Sequence, residues 1–131
     1  MEKPLICLDT SVIIEFYRKT DKSKSFFFRL TEKYDRFAIS SITEFEIFVG
    51  SKPDQDDYWD RLFSSMEKLS FDSQSNKIAI QIDRKLKKIS KQIDIPDLMI
   101  AACAMANDAT IATLNEKHFS RIEGLRLITP E

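Results

Sequence analysis

The chain has 131 residues, with 20 basic and 21 acidic side chains, a formal net charge of −1, 43% hydrophobic and 31% charged residues. That composition fits one soluble domain over residues 1–131 with a single core, and it excludes a globally basic nucleic-acid-binding protein. No apolar run approaches the roughly 20 residues that cross a bilayer, and Asp9 interrupts MEKPLICLD too soon for a signal peptide, so a cytoplasmic location is expected.

The first predicted element is a strand, Leu5–Leu8, which stops at Asp9 before the helix SVIIEFYRK. A carboxylate is costly to desolvate, so its position at the end of a buried-looking segment needs a reason. One reason is helix capping; the other is a metal site with ligands far along the chain. Ser11 reads as the natural helix cap. The next helical stretch, DKSKSFFFRL, carries Phe26, Phe27 and Phe28. Adjacent helical residues are spread about 100° apart, so at least one of the three faces away from the core.

A second strand, Phe37–Ser40, leads into SSITEFEIF, where Thr43 and Glu46 have the offset of a capping box and Glu44 falls at the helix start. Gly50 and Pro53 separate this helix from the next. A short strand is expected at Leu69–Phe71. The fifth helix is predicted over Ser73–Gln92, because Ile78, Ile82, Leu86, Ile89 and Ile93 form one stripe. Lys77, Arg84, Lys88 and Lys91 lie on its opposite face and read as a solvated surface, with phosphate contact as the second reading.

Asp97 follows Pro96 at the entrance to LMIAACAMA, an apolar, Ala-rich helix buried against a sheet. Strand Thr110–Thr113 then ends at Asn115, which opens the segment EKHF. His118, the one histidine, reads as a surface or packing residue. A last strand is expected at Leu125–Thr129. Cys7 and Cys103 each sit in apolar segments and read as packing residues.

Strands alternating with helices predict an α/β fold with a mainly parallel sheet, in which site residues gather at the carboxyl ends of strands. Asp9, Glu44, Asp97 and Asn115 all occupy strand ends or helix starts. Singly, each acid is explained as a helix cap. Together, with Glu44 and Asp97 in apolar surroundings, converging carboxylates repel unless a cation neutralises them. Oxygen donors favour Mg²⁺ or Mn²⁺, and such a site suits phosphodiester hydrolysis.

The stretches LDTSVII, SSITEFEIFVG, IPDLMIAACAMA and ATLNEKHFSRIEGLRLI follow one another along the whole chain. In these the chain resembles the PIN-domain ribonucleases, most like the VapC-type toxins of type II toxin–antitoxin pairs. The resemblance implies a single PIN-like three-layer α/β/α domain that cleaves structured RNA, tRNA included, with Mg²⁺ or Mn²⁺. It makes Asp9, Glu44 and Asp97 the catalytic acids and metal ligands. Many members have Asp where this chain has Asn115, which would be a neutral fourth ligand; neighbouring Glu116 points elsewhere. Thr10 and Ser11 are hydroxyls placed to hold water or phosphate in such an arrangement.

The implied partners are an RNA substrate, a cognate antitoxin over the active site and a second copy in a homodimer, with no membrane. Phe26–Phe28 with Phe45, Phe48 and Val49 suit either such contacts or the core. Asn115 keeps open an alternative, a catalytically weak RNA- or protein-binding module of the same fold. An aspartyl phosphatase or a receiver domain fits poorly, because Ser11 stands where the former needs a second Asp and Asp9 has no acidic neighbour.

Overall fold

The computed structural model describes residues 3–131. In chain order the elements are β1 (Leu5–Leu8), α1 (Thr10–Arg18), α2 (Phe26–Thr31), β2 (Arg36–Ser40), α3 (Ser41–Val49), α4 (Asp56–Phe63), β3 (Glu67–Leu69), α5 (Ser73–Lys88), α6 (Ile95–Ala106), β4 (Thr110–Ala112), α7 (Glu116–Phe119) and β5 (Leu127–Ile128). Short 3₁₀ turns at Lys22–Lys24 and Pro53–Gln55 lie between them.

All strand pairings are parallel and the order is β3-β2-β1-β4-β5, with Cys7 of β1 opposite Ala38 of β2 and Ile111 of β4. Successive strand residues point to opposite faces, so β1 feeds two cores at once. Leu5 and Cys7 pack with α5 and α6; Ile6 and Leu8 pack with α1, α2 and α4. The result is the three-layer α/β/α arrangement expected from the alternation of strands and helices. Helix α6 explains its own depth: Ile100 through Ala104 have no exposed surface, and a helix apolar on all sides must be buried.

The aromatic triplet diverges as helix geometry requires. Phe26 is buried, Phe27 meets Phe16 and Phe37 edge-on, and Phe28 is exposed. Pro96 stands in the first turn of α6, and Gly50 is the C-cap of α3.

Several expected bounds shift: β4 ends at Ala112 rather than Thr113, and β5 spans only Leu127–Ile128 rather than Leu125–Thr129. The third strand lies at Glu67–Leu69 rather than Leu69–Phe71, because the Phe71 amide leaves the ladder and donates to Ser41 Oγ at 3.2 Å. Helix α5 stops at Lys88, not Gln92. Ser90 turns left-handed (φ 54°), and the Lys91 amide closes on the Leu86 carbonyl at 2.9 Å. This is a Schellman closure made without glycine. It leaves Ile89 59% exposed and puts Ile93 in the following loop, packed against the core.

Candidate metal centre

Strand β1 lies between β2 and β4, so the sheet reverses its direction of growth beside it. Open α/β sheets place a crevice at the carboxyl ends of the two strands flanking such a reversal. Asp9 follows β1 there, and Thr113 and Asn115 follow β4.

Asp9 occupies the N-cap position of α1, yet its side chain makes no capping hydrogen bond. Asp9 is 3% exposed, and its Oδ2 accepts from both Ser11 Oγ and Thr113 Oγ1 at 2.7 Å. The Asn115 amide donates to Thr113 Oγ1 (2.8 Å) and the Leu114 amide to Ser11 Oγ (3.2 Å). Two loops are thus laced around one buried anion. Ser11 is not the helix cap that the sequence predicts, because its hydroxyl turns back to Asp9. Capping does not account for Asp9.

Asp97 sits in the first turn of α6 with its side chain 19% exposed. Its Oδ2 lies 3.1 Å from His118 Nδ1, which lies 2.9 Å from Asn115 Nδ2. Nδ1 offers one proton or one lone pair, so it serves one of these neighbours at a time. Ligand atoms of Asp94, Asp97 and His118 all fall within 4.8 Å of one another, and among the described residues no other such trio does. The reading of His118 as a surface or packing residue is therefore corrected: the one-turn helix α7 folds it back onto Asp97. Its offset of three from Asn115 was the available signal, since i and i+3 share a helix face.

Glu44 stands in the first turn of α3, but its surroundings are not the apolar ones expected. Its side chain is 38% exposed and pairs with Lys68 of β3 at 3.3 Å. It lies outside the Asp94–Asp97–His118 trio. The Thr43–Glu46 capping box also does not form: Ser40 caps α3 by accepting from the Thr43 amide (3.1 Å). Thr10 Oγ1 instead lies 3.0 Å from Thr43 Oγ1 and 2.8 Å from Glu46 Oε1, stitching α1 to α3. The Thr10 hydroxyl is taken up in that stitch.

Burial pushes the Asp97 carboxyl above its usual range; the His118 hydrogen bond opposes this, and the charges of Asp9 and Asp94 add to the rise. Asp9 is thus near enough to be felt by Asp97, and the basic groups in ion-pair contact with the predicted acids are His118 and Lys68. The Asp94 and Asp97 carboxylates gathered with His118, and Asp9 acting on Asp97 through its charge, fit a small hard cation, although Asp9 itself lies outside that trio. Asp9 and Asp97 present oxygens, and Asn115, its amide nitrogen turned to His118, has an amide oxygen to add.

Residues 6–125 match the family described as PIN domain. Ribonuclease VapC3 of Methanocaldococcus jannaschii is 37% identical over 95 residues, covering 72% of this chain and 93% of that relative. Ribonuclease VapC1 of the same organism is 30% identical over 129 residues, covering 96% and 88%. Among solved structures, VapBC2 of Rickettsia felis, bound to a DNA fragment from its promoter, superposes with a TM-score of 0.84 at 28% identity, covering 97% of this chain and 99% of the other. DNA-bound VapBC of Salmonella typhimurium gives 0.85 at 27% identity, covering 96% and 98%. With the sheet order, the acids at the reversal beside β1 and a match along nearly its whole length, the chain belongs to the PIN-domain family and stands among its VapC-type members.

Proposed function

We propose that this chain is a divalent-metal-dependent endoribonuclease and the toxin of a toxin–antitoxin pair. The observation that carries the reading is the buried, doubly hydrogen-bonded Asp9 beside an Asp97 whose ionised form is disfavoured. It is supported by relatives named as VapC ribonucleases. Asp9, Glu44 and Asp97 are the catalytic acids, and with Asn115 they hold Mg²⁺ or Mn²⁺. When bound, the cation supplies a water of lowered pKa and offsets charge developing on the scissile phosphate. Ser11 and Thr113 keep Asp9 aimed by donating to it, and His118 orients Asp97 across their 3.1 Å contact. Glu44 swings from Lys68 to join them.

The substrate is RNA, with structured molecules such as tRNA first in line. The partners are an antitoxin, by analogy with the VapBC complexes, and a second copy of the chain. Phe45 and Val49, 67% and 68% exposed one turn apart on α3, offer the apolar contact both need. No helix among the described residues is long and apolar enough to cross a membrane, and a cytoplasmic site of action suits RNA as substrate.

The test is incubation of the partner-free protein with tRNA, with and without Mg²⁺ or Mn²⁺, beside Asp97→Asn. Metal-dependent cuts lost in the variant are expected. RNA binding with no metal-stimulated cleavage would replace the nuclease with the binding-module reading.

A further inference from the structure

We propose that Lys68 is a phosphate-binding residue of the substrate site, its ammonium leaving Glu44 for a backbone phosphate of the RNA. The inference rests on RNA being the ligand and adds a residue to that site. Strand β3 runs parallel to β2, with Lys68 opposite Ile39 and Leu69 opposite Ser40, the residue that caps α3. This register sets Lys68 beside the start of α3, where its Nζ lies 3.3 Å from Glu44 Oε2. It is the lysine that the structure puts in contact with one of the predicted acids.

Lys68 is also cheap to release. The side chains of the pair are 46% and 38% exposed. Ion pairs open to solvent contribute little to stability, so transfer to a phosphate costs little. Arg36 and Lys22 are more firmly committed. Arg36 makes a two-pronged contact with Glu67 and donates to the Lys3 carbonyl; Lys22 donates to the carbonyls of Phe16, Tyr17 and Lys19. A centre built on Asp9, Glu44 and Asp97 repels an approaching polyanion, in a chain whose net charge of −1 gives no general attraction. A mobile ammonium at the edge of that centre supplies the missing local attraction. Moving it to phosphate also leaves Glu44 free as an oxygen donor.

The measurement is binding of a labelled single-stranded RNA to the protein in EDTA across a series of KCl concentrations. Wild type is compared with Lys68→Gln, Lys68→Arg, Glu44→Gln and Lys87→Gln, the last removing an equal charge from a lysine paired with Asp83 on α5. Lys68→Gln should weaken binding about threefold or more and reduce the slope of log K against log salt by about 0.7, the loss of one phosphate contact. Lys68→Arg should keep the slope, and Glu44→Gln should tighten binding by freeing Lys68. Lys87→Gln should leave the slope unchanged. Wild-type affinity and slope in Lys68→Gln would overturn the assignment and leave Lys68 as a charge partner of Glu44 alone. No salt-dependent RNA binding by wild type would overturn the RNA reading itself, and this proposal with it.

Discussion

Thr113 and Asp9, 104 residues apart in the chain, meet in a 2.7 Å hydrogen bond donated by the threonine hydroxyl to Oδ2. Both are buried, so the bond lies where water cannot substitute for it. Thr113→Val keeps the shape and removes the donor. It should cost about 1–3 kcal/mol, the range for taking the donor from a buried acceptor, measured by urea unfolding. Thr113→Ser should recover most of that loss. A valine variant as stable as wild type would mean that Asp9 does not need this donor.

Asp97 gives a prediction of opposite sign. Its carboxyl is raised in the folded protein, first by burial, so the native state holds the proton more tightly than the unfolded chain does. Stability from this group is therefore complete below the unfolded value of 3.8 and is lost as pH rises through the higher folded pKa. Asp97→Asn, uncharged throughout, should be more stable than wild type at pH 7, by less than about 1 kcal/mol after solvent screening, while losing cleavage. The gain should shrink towards pH 4. Equal or lower stability at pH 7 would show that ionised Asp97 carries no penalty.

Cation binding should reveal itself without any substrate. At tenfold excess over its dissociation constant, Mg²⁺ or Mn²⁺ should stabilise the protein by about 1.4 kcal/mol. For a chain of this size that raises Tm by about 5 °C in a thermal melt. Asp9→Asn, which removes the most buried oxygen donor, should show little of the rise. A Tm indifferent to both ions at millimolar concentrations would count against the centre.

His118 lowers the Asp97 carboxyl by its hydrogen bond and by its charge, against the effect of burial. Removing it in His118→Ala should let that carboxyl rise further. Because a ligand carboxylate must be ionised, the acid limb of the metal-binding pH profile should move to higher pH, with affinity at neutral pH lower by about tenfold. Calorimetric titration from pH 5 to 8 reads both. An unmoved limb would leave His118 a packing residue, as its place in EKHF first implies.

The features legible in the sequence were those fixed by one short segment. LICL reads as a strand because it is aliphatic on both faces, and the structure buries both. Asp9 and Asp97 read as site residues because strand ends and helix starts collect polar groups in an α/β fold. The alternation of elements together with the four stretches gave the layers. Features that depend on two distant segments were not legible. Ser11 has one hydroxyl that can cap a helix or turn back to a carboxylate, and Thr113 and Leu114 tip it towards the latter. The pairing of Glu44 with Lys68 depends on the register of β3, itself displaced by the Phe71–Ser41 bond. The end of α5 was misplaced because Ser90 adopts a conformation usually left to glycine.

The central position of β1 also fixes when a competent site can exist. Strands β2 and β3 pair on one side soon after β1 is made, but β4 comes only with residues 110–112, and the donor from Thr113 directly after it. Until then Asp9 has one open flank and only Ser11 to hold it. A nascent chain on the ribosome therefore cannot assemble the centre until nearly all of the sequence shown here has been translated and released from the tunnel. For an enzyme directed at RNA, made on a machine built of RNA, the site forms late, only once the segment carrying Thr113 is free to pair beside β1.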